Sequence, residues 1–169
     1  MKRWLFLFAL GALGAWILRS CLFEGIVIAT GSMEPTLPVG YHAFVNRAVY
    51  RFHAPQRGDI VVFPSPVRAD KDMVKRVVAV EGDTIELKDK QVLLNDKVLQ
   101  EPYVQHTRPD DRLVGDTLEA RVVPRGHVFV LGDNRDESGD SRDWIDPATG
   151  EHIYFIPVER LKGKLVGPS

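Results

Sequence analysis

Two hydrophobic regimes divide the chain. From Trp4 to Leu18 it reads WLFLFALGALGAWIL, fifteen residues without a charge. Past Phe23 only short apolar runs occur, separated by Gly, Pro, Asn and Asp. The long run predicts a helix, and the short β-branched runs predict strands. Phe23 to Ala29 (FEGIVIA), Asp59 to Phe63 (DIVVF) and Val74 to Val80 (VKRVVAV) are strand candidates. Glu81-Gly82-Asp83 marks a turn before Thr84 to Leu87, and Val92 to Leu99 reads as two short strands about a tight Asn95-Asp96 turn. His127 to Leu131 and His152 to Ile156 complete the strand expectations, while the polar stretch Gln105 to Arg121 is expected to be a loop. Eleven prolines and fourteen glycines punctuate these runs at the spacing of a mainly β domain.

The fifteen-residue run would span roughly 22 Å as a helix, short of a hydrocarbon core of roughly 30 Å. Snorkelling of Arg19, local thinning of the bilayer, or continuation into Cys21-Leu22-Phe23 would close the gap. Trp4 and Trp16 sit near its two ends, where an aromatic belt places them. Lys2 and Arg3 precede it, which orients the N-terminus to the cytoplasm and the rest outside. A cleavable signal peptide is a second reading, but Leu13-Gly14-Ala15 lies inside the apolar run with Trp16 after it, a poor cleavage site. A lipoprotein signal at Leu18-Arg19-Ser20-Cys21 is spoiled by its arginine. The preferred division is an uncleaved anchor over residues 1–20 and an external domain over residues 21–169.

Composition removes several function classes. The 169 residues suit one domain, and the net charge of −1, from 22 basic and 23 acidic residues, leaves no footprint for nucleic acid. Cys21 is the only cysteine, and His42, His53, His106, His127 and His152 lie far apart, so no metal-ligand spacing appears. No metal and no cofactor are expected.

Three segments carry candidate chemistry. Thr30 to Leu37 (TGSMEPTL) follows an apolar strand. A serine hydroxyl needs a neighbouring base to become a nucleophile. A glycine beside it exposes the hydroxyl and frees N–H groups to stabilise an oxyanion. An ordinary polar turn is the alternative on these residues alone. No G-x-S-x-G elbow and no triad histidine is present, so a neutral lysine is the base to seek. In a strand, Lys75 would share a face with Met73, Val77 and Ala79, and burial among them would lower its pKa. A drop from about 10.4 to about 8 costs about 3 kcal/mol. The alternative is a lysine that snorkels from a strand edge. Arg76 cannot serve, because guanidinium stays protonated. Gly132 to Arg142 (GDNRDESGDSR) fails the calcium-loop spacing and reads instead as a loop pinned by ion pairs.

Together, TGSMEPTL, RGDIVVF (57–63), VKRVVAVEGDTI (74–85) and GDNRDESGDSR (132–142) stand in the order of, and the chain resembles, the bacterial type I signal peptidases. Arg19 to Glu24 resembles that family's link from anchor to catalytic domain, and Ile156 to Gly167 its closing segment; the likeness is weakest between Gln100 and Val123. The resemblance implies a mainly β catalytic domain behind one N-terminal transmembrane helix. It implies Ser32 as nucleophile, Lys75 as general base, and Ser138 as the serine that orients the lysine. Thr30, where many members have serine, would join the Ser32 N–H in the oxyanion hole, and Ala29 replaces a common proline. Ile28, Met33, Leu37 and Val74 match positions around pockets for small apolar side chains. Arg76, Asp133, Asp140 and Arg142 would brace the site, with their pairing left open.

The implied activity is removal of signal peptides from exported preproteins at the lipid bilayer of a bacterial cytoplasmic (inner) membrane, without nucleic acid or metal. A self-cleaving repressor with the same dyad is opposed by the apolar N-terminus and the lack of a DNA-binding segment. A non-catalytic β module is opposed by Ser32, Lys75 and Ser138 occurring together. A processing peptidase of conjugation or pilus systems is a closer variant, distinguished by dedicated substrates.

The charge asymmetry around Trp4 to Leu18 gives a topological prediction. Protease added to intact spheroplasts should digest the domain after Arg19. Protection that persists until lysis would invert the orientation.

Overall fold

The β-branched runs resolve, in a computed structural model, into short antiparallel strands. The structure describes residues 22–68 and 70–167, with Trp4, Leu7 and Gly11 upstream. The predicted anchor over residues 1–20 otherwise lies outside the described residues, among which no helix is long and apolar enough to cross a membrane. The strands are β1 (Phe23–Val27), β2 (His42–Asn46), β3 (Ile60–Pro64), β4 (Asp72–Val80), β5 (Thr84–Lys88), β6 (Gln91–Leu94), β7 (Lys97–Val98), β8 (Leu118–Val122), β9 (His127–Leu131), β10 (Ile156–Pro157) and β11 (Gly163–Val166).

They form a seven-stranded sheet, ordered β1-β2-β11-β3-β4-β9-β10, and a four-stranded sheet, ordered β7-β6-β5-β8. β4 and β5 are joined through the Glu81-Gly82-Asp83 turn, where Gly82 takes a φ of 85° that favours glycine. The β6–β7 connection has Asn95 at φ 52° and Asp96 at φ 64°, both tolerant of left-handed backbone, as the tight turn required.

β4 lies centrally between β3 and β9 and is buried on both faces over Lys75 to Ala79. One face packs Val61, Phe63 and Val77 with Trp144, whose ring meets Phe63 edge-on at 5.9 Å. The other end of the strand joins Val78, Ala79, Phe129 and Leu131 to Ile85, Leu87 and Val92 of the small sheet. A third cluster, Ile28, Met33, Leu37, Ala43, Ile60 and Leu165, fills the space below the Gly31–Met33 3₁₀ turn.

Three expectations change. The polar stretch from Gln105 is a loop only as far as Leu113; a 3₁₀ turn at Val114–Asp116 and then β8 follow, with Leu118 inside, Arg121 half-buried and Glu119, Ala120 and Val122 exposed. The strand expected from His152 to Ile156 shrinks to a bridge between His152 and Ile145 and the two residues of β10. Ala79 does not share the face of Lys75. The register shifts between Val77 and Ala79, a bulge that turns Ala79 toward the small sheet while Met73 and Val77 keep the lysine's side.

β11 lies between β2 and β3, and its first residue makes the closest approach. A Cβ on Gly163 would collide with the Asn46 carbonyl oxygen and come within 2.7 Å of Val45 Cγ1. Gly163→Ala should therefore lower stability by about 1–3 kcal/mol, the usual cost of overpacking. Gly25→Ala, whose new Cβ would meet only Phe44 at 3.9 Å, is the control. Thermal unfolding in detergent reads both; equal melting temperatures would contradict the packing.

Candidate active site

Ser32 sits in the 3₁₀ turn Gly31–Met33, which follows β1 and is anchored from beneath by buried Met33 and Leu37. Its backbone carbonyl accepts a hydrogen bond from the Asn134 N–H at 3.2 Å, tying the turn to the loop after β9. Lys75 projects from β4 opposite Val61, and only 2% of its surface is exposed. Its Nζ lies 2.7 Å from Ser32 Oγ. A charged amine donates across that distance; a neutral amine can accept from the Ser32 O–H. Residues far apart in the sequence are thus brought into proton-transfer reach.

Burial dominates the titration of Lys75, pushing its pKa from 10.5 down to about 8. The Asp140 carboxylate pulls the other way, Arg142 adds to the fall, and Asp133 opposes it. Both carboxylates are already held by guanidinium groups. Arg76 donates through Nε to Asp133 Oδ1 at 2.8 Å and through Nη2 to Oδ2 at 2.7 Å. Arg142 donates through Nε to Asp140 Oδ1 at 2.8 Å and through Nη2 to Oδ2 at 2.9 Å. These two forks are the pairing that the sequence left open. Burial would raise the Asp140 carboxyl, but the charge and hydrogen bonds of Arg142 outweigh it and hold the pKa below the usual range.

The other expected residues fall around this pair. Thr30 Oγ1 is 3.3 Å from Ser32 Oγ. Ile28, Met33 and Val74 line a cleft of about 700 Å³ that also holds Ser32 and Lys75. Leu37 does not line it; the side chain is fully buried behind Met33 and supports the wall from inside. Ser138 is buried, and its Oγ has no hydrogen-bond partner among the described residues, Lys75 included. It packs where a Cβ on Gly132 would clash with Ser138 Oγ and with the Ser32 carbonyl oxygen. Glycine at 132 is what lets these two serine segments approach.

Several contributors escaped the sequence reading. Thr36 donates to Asp133 Oδ2 at 2.5 Å, and the Tyr103 ring lies 4.0 Å from the Arg76 guanidinium. Glu101 accepts from Arg135 at 2.6 Å. Thr36 was visible as part of TGSMEPTL, but Tyr103 and Glu101 lie in the segment with weakest pattern, and nothing local pointed to them. Among the described residues no three His, Cys, Asp or Glu side chains gather as metal ligands.

Comparison with known proteins matches residues 1–168 to the family "Signal peptidase, peptidase S26". Signal peptidase I of Pseudomonas aeruginosa is 32% identical over 88% of this chain and 65% of that protein. Signal peptidase I P of Bacillus subtilis subsp. natto is 33% identical over 88% of this chain and 84% of that one. Thylakoidal processing peptidase 1 of Arabidopsis thaliana is 34% identical over 89% of this chain, which spans 43% of its length. The chain thus spans less than two thirds of the Pseudomonas and Arabidopsis proteins. A crystal structure of a signal peptidase I from Enterococcus faecalis V583 superposes with a TM-score of 0.51 at 29% identity, covering 68% of this chain and 98% of that one.

The buried amine carries a stability prediction. With the folded pKa near 8 and the unfolded value near 10.5, the unfolded state binds more protons between them, so stability rises with pH through that window. Below about pH 8 the ammonium costs the fold about 3 kcal/mol. Lys75→Met should raise the melting temperature at pH 6–7, and the gain should shrink as pH passes 10. A destabilised methionine variant at pH 6 would show that Lys75 is not penalised by burial.

Proposed function

Because the chain belongs to the signal peptidase family, peptidase S26, we propose that it is a serine endopeptidase that removes signal peptides from exported preproteins through a Ser32–Lys75 dyad. The observation that carries this reading is the 2.7 Å approach of a buried, pKa-depressed lysine amine to Ser32 Oγ. Neutral Lys75 takes the Ser32 proton as Oγ attacks the scissile carbonyl carbon. The Ser32 N–H and the Thr30 hydroxyl stabilise the oxyanion, and threonine's β-branch narrows the rotamers of that hydroxyl. Lys75 then returns its proton to the leaving amine. An acyl group remains on Ser32, and water deprotonated by Lys75 hydrolyses it. The reaction calls for no metal and no cofactor.

Ile28, Met33 and Val74, with Leu37 behind them, form an apolar wall suited to small side chains before the cut. Ser138 orients Lys75, and its buried, unpartnered hydroxyl is available for that bond when substrate fills the cleft. Arg76–Asp133 and Arg142–Asp140 brace the two sides. The first twenty residues anchor the domain in a bacterial cytoplasmic membrane, N-terminus inside and catalytic domain outside. Enzyme and bilayer-bound preprotein then meet at high effective concentration.

Incubation of the purified protein with a preprotein in detergent, followed by sequencing of the new N-terminus, tests the activity directly. Ser32→Ala should lower turnover by several orders of magnitude without unfolding the protein. Lys75→Arg keeps the charge but cannot supply a neutral base, and should be inactive. Ser138→Ala should lose about ten- to a hundred-and-fifty-fold, the worth of one hydrogen bond to a charging group. In the wild type, activity should fall about tenfold per pH unit below about pH 8, following the neutral fraction of Lys75. Substantial cleavage by Lys75→Arg would end the general-base assignment.

A further inference from the structure

The cleft wall contains a carboxylate that the dyad does not use. Asp143 follows the loop of Ser138 and lines the same cleft as Ser32 and Lys75. It is exposed, yet both its neighbours are fixed: Arg142 is 6% exposed and clamps Asp140, and Trp144 is 4% exposed and packs on Phe63. Its own N–H donates to the Asp140 carbonyl at 3.0 Å, and the Trp144 carbonyl accepts from Ile153 at 2.9 Å. The carboxyl rests against Gly115, where a Cβ would come within 2.9 Å of Oδ1. The backbone therefore fixes the point on the wall from which this side chain leaves the chain.

Among the described residues no cation forms a salt bridge with it. The two other carboxylates of the wall have partners: Glu24 with Arg47 at 3.4 Å, and Asp72 with Lys162 at 2.6 Å. The Asp143 carboxylate is favoured by a hydrogen bond from the Asp140 backbone. Its carboxyl is pushed up from the usual range by burial on its protein side and by the Asp140 carboxylate, with Arg142, the Asp140 backbone hydrogen bond and His152 opposing only in part. An uncompensated acidic group in a cleft is relieved by a cation brought with the ligand. Asp143 also does not contribute to the depressed pKa of Lys75, whose charged influences are Asp140, Arg142 and Asp133.

We infer that Asp143 is a specificity-determining residue that selects substrates with a lysine or arginine close after the scissile bond and disfavours acidic residues there. This rests on the endopeptidase reading above. The apolar wall of Ile28, Met33 and Val74 takes the residues before the cut. The leaving amine must lie at Lys75, and Gly139 and Asp143, contributed by the Ser138 loop, line the cleft along which the residues after it would continue. An exposed carboxylate–ammonium pair is worth up to about 1 kcal/mol, which corresponds to roughly fivefold in rate.

The test uses the full chain in detergent and peptides carrying Lys, Gln or Glu at each of the positions flanking the cut. The wild type should favour Lys over Glu by roughly fivefold in kcat/KM at a position after the cut. Asp143→Asn should flatten that preference and Asp143→Lys should reverse it, while the acidic limb of the pH profile stays where it is in Asp143→Asn. Binding of the same peptides to Ser32→Ala, read by fluorescence anisotropy, reports the charge preference without cleavage. Preference in binding with no cleavage by wild type would sink the endopeptidase reading and keep the role of Asp143. An unchanged charge profile in Asp143→Lys, or a profile that responds only before the cut, would overturn the inference.

Discussion

The site depends on withholding water from one amine. Lys75 is enclosed on a central strand, and its single hydrogen-bond partner among the described residues is Ser32 Oγ. An ammonium has three donors to satisfy, and this environment offers one acceptor, so the neutral form gains. The nearby carboxylates of Asp133 and Asp140 would cancel that effect if they were free. Each is forked by its own guanidinium, so the charge they present to Lys75 is largely offset at source. The buried ion pairs limit how far the carboxylates oppose the effect of burial on the amine, as well as holding the loops in place.

Strand alternation connects the chemistry to its support. Lys75 and Arg76 are successive residues of β4 and point to opposite faces. Lys75 reaches Ser32 Oγ, while Arg76 grips Asp133 and touches Tyr103. Asp133 in turn accepts from Thr36, four residues after Ser32. The Ser32 turn, the Lys75 strand and the loop after β9 are thereby closed into one ring of contacts. Removing one member of a buried pair leaves an uncompensated charge and typically costs 3–5 kcal/mol.

Much of this was legible in the chain because it is local. The Asn95-Asp96 turn, the apolar runs of β3, β4 and β9, and the motifs around Ser32, Lys75 and Ser138 all announce themselves within a dozen residues. β2 and β11 were not foreseen as strands, since His42–Asn46 and Gly163–Val166 are short and mixed in polarity, and pairing with distant strands decides them. The bulge that turns Ala79 away from Lys75 is also invisible to a period of two, because it is imposed by the register with β9. The identity of the Arg–Asp partners needed the fold, since two guanidiniums and two carboxylates permit either assignment. Leu37 sits close in sequence to Ser32 and reads as a wall residue, but the 3₁₀ turn carries it into the core.

The place of β11 has a consequence for how the molecule comes into being. It begins at Gly163, 99 residues after β3 ends at Pro64, and is wedged between β2 and β3. Synthesis runs from the other end, so β1, β2, β3 and β4 all exist before the strand that joins them into one sheet. Until it arrives, two neighbouring edges stand unpaired, each a template for mispairing with another chain. Pairings this distant in sequence also close slowly, because the intervening chain must be ordered first. A nascent molecule therefore carries its complete Ser32 and Lys75 segments for the whole interval in which the sheet that would bring them together still has a gap.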